Sequence, residues 1–116
     1  MNRISPAEAH AKMKDEGFAY VDVRSADDFS LGHPAGAVNV PFDGNFVANV
    51  SARYPKDAPL IVGCKMGVTS VRAAKALADA GFSRVLEQRA GWDGARGTFG
   101  ELVEPGWSRA GLPTES

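Results

Sequence analysis

The sequence contains a single cysteine, Cys64, among its 116 residues. One cysteine cannot form a disulfide within the chain, so the sequence gives no indication of an oxidising compartment. A metal site is not expected either, because the only two histidines, His10 and His33, lie far apart and no second cysteine accompanies them. The chemistry of the chain therefore depends on where Cys64 lies.

An excess of one charge sign and a long apolar run are also missing. Thirteen basic and fourteen acidic side chains leave a formal net charge of −1, which gives no reason to expect a nucleic-acid or anionic-membrane partner. Charged residues interrupt the amino-terminal stretch MNRISPAEAHAKMKDEGF, and no window approaches the ~20 apolar residues of a membrane span. We expect one domain over residues 1–116, located in the cytoplasm.

Short strand-like segments alternate with helical patterns along the chain. Ser5 and Glu8 have the spacing of a capping box, and Gly17 can end the helix that they begin. The predicted helices are 5–17, a short helix between Ser25 and Gly32, 44–54 and 68–80, and the predicted strands are FAYVDV, AVNVP, PLIVG and RVLE. This alternation predicts a three-layer α/β domain with a largely parallel sheet flanked by helices. From residue 91 onward, only a loop and a terminal turn or short helix are predicted.

Cys64 lies between the apolar strand LIVG and the helix that begins near Val68. Ligands of parallel α/β sheets bind beyond the carboxyl ends of the strands, near the amino termini of helices. If the loop curls at Gly67, the backbone N–H groups of residues 65–70 can point inward and bind an anion. Such a setting, with Lys65 as the nearest cation, favours the thiolate of Cys64 over the thiol.

Two other interpretations of Cys64 compete with a reactive thiol. A lone cysteine after an apolar strand is by default a small, buried core residue. A cysteine phosphatase would need an arginine six positions after the nucleophile to neutralise a phosphoryl group, and Ser70 occupies that position. Arg72 is two residues too late, so the phosphatase interpretation fails.

The loop CKMGVTS, from Cys64 to Ser70, resembles the active-site loop of the rhodanese-like sulfurtransferases. The stretch VDVRSADDFSLGHPAGAVNVPF, from Val21 to Phe42, is similar to the amino-terminal signature of that family. The stretch RAGWDGARGTFGELVEPGWSRAGLP, from Arg89 to Pro113, is similar to its closing segment. The resemblance thus covers nearly the whole chain and implies a rhodanese-like fold.

The resemblance implies that Cys64 takes a sulfur atom from a small anionic donor of the thiosulfate or mercaptopyruvate type. The resulting persulfide would pass its outer sulfur to cyanide or a thiol, with a thioredoxin-like protein among the candidate acceptors. No metal or organic cofactor would take part. The loop residues that would bind the donor and hold the persulfide are Lys65, Met66, Gly67, Val68, Thr69 and Ser70.

Three further residues have alternative interpretations. Asp22 and Arg24 could support the loop from the end of the first strand, or form a plain structural ion pair. Lys65 could lie at the mouth of an anion site, or be an ordinary solvated lysine. For the whole protein, the alternative to an enzyme is a persulfide carrier or binding module that acts only with a dedicated protein partner.

Overall fold

Five parallel strands form the central sheet of the computed structural model, which describes residues 2–116. In chain order the main elements are β1 (Asn2–Ile4), α1 (Pro6–Glu16), β2 (Ala19–Asp22), α2 (Ala26–Leu31), β3 (His33–Pro34), β4 (Val38–Asn39), α3 (Phe46–Arg53), β5 (Leu60–Gly63), α4 (Thr69–Asp79), β6 (Val85–Gln88), β7 (Gly94–Arg96), β8 (Leu102–Pro105) and β9 (Thr114–Glu115). The sheet has the strand order β1-β6-β5-β2-β4, and all its neighbouring strands are parallel. The predicted α/β fold with a largely parallel sheet is confirmed.

The helices begin and end where local sequence directs them. The Ser5 hydroxyl accepts the Glu8 N–H at 3.1 Å, while the Glu8 carboxylate accepts the Ser5 N–H at 2.9 Å. Gly17 ends α1 in the left-handed region, with φ +70°. Ser25 caps α2 in the same way as Ser5 caps α1, by accepting the Asp28 N–H at 3.2 Å. Across residues 2–116, no helix combines the length and apolar character needed to cross a membrane.

The core lies on both faces of the sheet because side chains alternate along the central strands. On one face, Val21 and Val62 pack with the apolar sides of α3 and α4. On the other face, Tyr20 and Ile61 pack with α1 and the fully buried Trp107. Helices on both faces complete the three predicted layers and fix the position of the strand ends at one edge.

Three strand pairings differ from the sequence prediction. β1 joins the sheet edge beside β6, and β3 pairs antiparallel with β9. β7 and β8 form an antiparallel pair within residues for which only a loop is predicted. These strands contain two to four residues each, which is too short for an alternating pattern to stand out. The predicted terminal turn is a 3-10 helix, Trp107–Arg109.

Candidate active site

Cys64 follows β5 at the carboxyl edge of the sheet, and α4 begins nearby at Thr69. Its side chain is part of the apolar core and the residue is 6% exposed, as expected for a buried thiol. Its sulfur nevertheless has polar partners. The Sγ atom accepts the Ser70 N–H at 3.3 Å, and the thiol donates to the Ser70 Oγ at 3.1 Å. Cys64 thus combines burial in the core with hydrogen bonds to Ser70 at the amino terminus of α4.

The loop carbonyl groups point away from the interior of the loop. The Cys64 and Lys65 carbonyls accept the N–H groups of Trp92 and Asp93, each at 2.8 Å. The Gly67 carbonyl accepts Nη2 of Arg3 at 2.9 Å. Within a trans peptide unit, the C=O and the following N–H point in opposite directions. The N–H groups of residues 65, 66 and 68 therefore point away from the donors that hold these carbonyls, which is an arrangement that an anion-binding nest requires.

Gly67 makes the curl of this loop possible. Its φ angle is +77°, in the left-handed region that glycine adopts without strain. A Cβ atom at this position would lie 1.9 Å from the carbonyl oxygen of Arg89. The second glycine in contact with the loop is Gly91, where a Cβ atom would lie 2.4 Å from the Lys65 carbonyl oxygen. The loop is thus held by close backbone contact on its outer side.

The predicted loop residues fall into two groups. Gly67 and Ser70 are buried, whereas Lys65 and Thr69 are exposed. The other two side chains, Met66 and Val68, are 41% and 68% exposed. The structure therefore places only Ser70 against the sulfur and arranges the remaining side chains around the mouth of the loop.

A cleft of about 290 Å³ lies beside the loop. It carries two cationic and two acidic side chains together with two apolar ones. Its lining consists of Arg24, Asp28, Leu31, Lys65, Trp92 and Asp93. Lys65 thus lies at a recess next to the cysteine loop, and its role at an anion site stays a prediction.

Asp22 and Arg24 form a buried ion pair at the end of β2. Their Oδ2 and Nη2 atoms are 2.8 Å apart, and the side chains are 2% and 6% exposed. The Arg24 guanidinium also donates to the Gly32 carbonyl at 2.7 Å and lies 5.2 Å from the Trp92 ring centre. Asp22 therefore orients Arg24, which forms part of the cleft wall.

Glu87 is a site residue that the sequence reasoning missed. It is fully buried, and its Oε2 accepts the hydroxyl of Ser70, the residue that contacts Cys64. Its Oε1 accepts Nε of Arg3 at 2.5 Å. A signal was present, because the predicted strand RVLE places a carboxylate near the same strand edge as Cys64. Arg3 carried no such signal, since β1 was not predicted.

Burial and charge near the site also affect two titrating groups. Burial, with a further contribution from the Asp22 charge, raises the pKa of Tyr20 far above its ordinary value of 10.0. Partial burial acts to raise the pKa of Asp93, but hydrogen bonding to Arg109 and the positive charges of Arg109 and Arg96 lower it overall. Tyr20 therefore remains neutral beneath the site, and Asp93 remains a carboxylate at the cleft.

The fold and site define an α/β domain that carries a cysteine in a tight loop between a strand and a helix. The rhodanese-like domain family matches residues 5–97, and this chain belongs to that family. The match leaves the loop, Asp22, Arg24 and Glu87 inside the family domain.

Three comparisons describe the relationship further. Thiosulfate sulfurtransferase GlpE of Ectopseudomonas mendocina is 37% identical over 97 residues, which cover 84% of this chain and 86% of that protein. Rhodanese-like domain-containing protein 15 of Arabidopsis thaliana is 32% identical over 75% of this chain, but this chain spans only 53% of that protein. The crystal structure of Rv0390 from M. tuberculosis superposes with a TM-score of 0.83 and 27% identity, covering 99% of this chain and 97% of that one. The rhodanese-like fold predicted from the sequence is confirmed.

Proposed function

We propose that this protein is a sulfurtransferase that carries the transferred sulfur as a persulfide on Cys64. The thiolate forms a bond to the outer sulfur of an anionic donor, and the bond between that sulfur and the rest of the donor breaks. Sulfite leaves a thiosulfate-type donor with the electron pair, as pyruvate does from mercaptopyruvate. A thiolate or cyanide acceptor then bonds to the outer sulfur, and the Cys64 thiolate leaves.

One observation carries this proposal: the Sγ atom lies inside a loop whose carbonyls are anchored outward. The Trp92, Asp93 and Arg3 donors hold those carbonyls, and the Ser70 N–H donates to the sulfur at 3.3 Å. An anionic persulfide gains hydrogen bonds from such donors, which are in place before the charge forms. The names of the GlpE relatives support the same class of reaction.

The donor is proposed to be a small anion because Lys65 and Arg24 both line the cleft beside the loop. The charge of Lys65 attracts an anionic donor, whereas the charge of Arg24 is largely compensated by Asp22, and the carboxylates of Asp28 and Asp93 limit how much negative charge the cleft accepts. The single free cysteine gives no indication of an oxidising compartment, which is consistent with the proposed cytoplasmic location. The reaction as proposed uses no metal or organic cofactor.

A persulfide carrier is the second candidate, and exposed apolar side chains at the loop favour it. Met66 and Val68 extend from the loop that holds Cys64, and they are 41% and 68% exposed. Apolar side chains next to a reactive atom suit contact with a protein acceptor, such as a thioredoxin-like protein, better than contact with a small ion.

The decisive experiment combines two measurements on the same sample. Thiocyanate formation from thiosulfate or mercaptopyruvate with cyanide measures turnover, and intact-mass spectrometry measures sulfur added to Cys64. Turnover that Cys64→Ser abolishes supports the enzyme and ranks the donors. One added sulfur atom without turnover supports the carrier. If neither appears while the protein is folded, the proposed function is wrong and Cys64 is a core residue.

A further inference from the structure

The buried carboxylate of Glu87 has no part in the mechanism described above. The residue is fully buried at the end of β6, on the strand next to the one that leads into Cys64. One oxygen accepts the Ser70 hydroxyl, and the other accepts Nε of Arg3 at 2.5 Å. Glu87 is therefore connected to the Cys64 sulfur through a single side chain.

The donor and acceptor roles in the hydrogen bonds that connect Cys64, Ser70 and Glu87 follow from the chemistry of these three groups. A carboxylate only accepts, so the single hydroxyl hydrogen of Ser70 must be donated to Glu87. The Ser70 oxygen then presents a lone pair to Cys64, and the thiol donates to it at 3.1 Å. The Cys64 thiol thus donates to the Ser70 hydroxyl, and the Ser70 hydroxyl donates to the Glu87 carboxylate.

The thiolate state requires the opposite directions. A thiolate only accepts, so the Ser70 hydroxyl can hydrogen bond to it only by donating its hydrogen to the sulfur. Ser70 then needs a donor on its other side, which a protonated Glu87 provides. Moving one proton from sulfur to Ser70 and another from Ser70 to Glu87 converts one arrangement into the other without losing a hydrogen bond.

We infer that Glu87 is a positioning residue that takes up the proton of Cys64 through the Ser70 hydroxyl as the sulfur attacks. The inference rests on the proposed function and adds the destination of the proton. In the first half of the reaction, Cys64–SH and the anionic donor become Cys64–S–S⁻ and the departing anion, while Glu87 becomes neutral. In the second half, the acceptor removes the outer sulfur, and the proton returns from Glu87 through Ser70 to the Cys64 thiolate.

Arg3 stabilises the resting state of this proton relay, which consists of Cys64, Ser70 and Glu87. Its guanidinium is paired with Glu87 while its side chain remains 45% exposed. It therefore compensates the buried carboxylate when Glu87 is charged and can be hydrated when Glu87 is neutral. The same guanidinium donates to the Gly67 carbonyl at 2.9 Å, so the relay and the loop share one anchor.

The test uses Glu87→Gln and the rate at which iodoacetamide alkylates Cys64 at neutral pH. Iodoacetamide is uncharged, so the cleft charges do not steer it. Glutamine retains the shape and an acceptor for Ser70 but cannot take a proton, so we expect alkylation to slow roughly tenfold or more. If Glu87 is only the partner of Arg3, removing its negative charge favours the thiolate and alkylation becomes faster. A faster or unchanged rate in folded protein overturns the inference.

Three further variants keep the test independent of one substitution. Glu87→Asp restores a carboxylate and should recover part of the rate, whereas Glu101→Gln removes an exposed carboxylate and should have no effect. Ser70→Ala breaks the relay from its other end, so it should slow alkylation as Glu87→Gln does. Because the two residues act as a unit, the double variant should be no slower than the slower single variant. Additive losses, or no rescue by Glu87→Asp, would also reject the relay.

This measurement is separate from the proposed function because it uses no sulfur donor. If wild-type protein takes up no sulfur but Glu87→Gln still slows alkylation, the relay stands and the sulfurtransferase proposal fails. If sulfur transfer occurs and Glu87→Gln alkylates as fast as wild type, the function stands and the relay fails.

Discussion

The carbonyl oxygen of Arg89 occupies the space that a side chain on Gly67 would need, since a Cβ atom there would lie 1.9 Å from it. The contact joins the segment after β6 to the turn of the cysteine loop. Gly67 is also held in the left-handed region, with φ +77°. The loop therefore has two separate requirements for glycine at this residue, one of conformation and one of space.

Gly67→Ala is expected to destabilise the protein and to impair sulfur loading of Cys64. The left-handed conformation alone costs about 1–2 kcal/mol for a residue with a Cβ atom, and the contact with Arg89 adds to it. Gly100→Ala is the matched control, because Gly100 has φ +80° with open space around its Cβ position. Urea unfolding and intact-mass analysis should show a larger loss for Gly67→Ala, with normal loading for Gly100→Ala. Equal losses in both variants would contradict the role of the close contact.

Asp22→Asn is expected to lower the free energy of unfolding by roughly 3 kcal/mol, because it leaves the buried Arg24 guanidinium without its counter-ion. Asp79→Asn removes the same charge from an exposed pair with Lys75, whose side chains are 70% and 66% exposed. That control should cost no more than about 0.5 kcal/mol. Urea unfolding measures both values. A small effect of Asp22→Asn would show that Arg24 does not depend on Asp22.

Tyr20→Phe should change how stability depends on alkaline pH. The pKa of Tyr20 is raised by burial in the folded protein, so stability is lost as pH rises above the unfolded pKa of about 10. The phenylalanine variant lacks this loss, although it is less stable at pH 8 because Gln88 loses an acceptor at 3.1 Å. The stability advantage of wild type should fall by roughly 1.4 kcal/mol by pH 11. A pH-independent difference in urea unfolding would contradict the raised pKa.

Lys65→Ala is expected to raise the KM for an anionic sulfur donor about fivefold, which corresponds to roughly 1 kcal/mol, the upper end of what an exposed ion pair contributes. The change in kcat should be smaller, because Lys65 lines the cleft, whereas the hydrogen bonds at the sulfur come from Ser70. Lys75→Ala removes the same charge from an exposed helix position and serves as the control. Added salt should reduce the difference between wild type and Lys65→Ala. An unchanged KM would remove Lys65 from donor binding.

Much of the fold could be predicted because its signals are local. The cap at Ser5, the glycine at residue 17 and the apolar run at 60–63 each fix an element through interactions within a few residues. β1 could not be predicted in this way. Its three residues join the sheet only through pairing with β6, so the information lies more than 80 residues away.

In the candidate site too, some features follow from neighbouring residues, whereas others depend on residues that are distant in sequence. The position of Cys64 between a strand and a helix, and the need for Gly67, follow from residues that are adjacent in sequence. The roles of Arg3 and Glu87 depend on a parallel pairing that brings distant strands together. Glu87 could have been suspected from its place near a strand end, but its contact with Ser70 depends on how α4 packs against β6.

The anchors of the cysteine loop also determine when the loop can form during folding. The Arg3 contact closes a separation of 64 residues, and the other two come from the segment after β6. Ordering such distant segments costs conformational entropy before the contacts between them form, so the loop is completed only after β1 and the segment that follows β6 have docked. A nascent or partly unfolded chain would therefore carry an ordinary thiol. Cys64 would then become reactive only when folding is complete, so sulfur transfer would begin only in fully folded molecules.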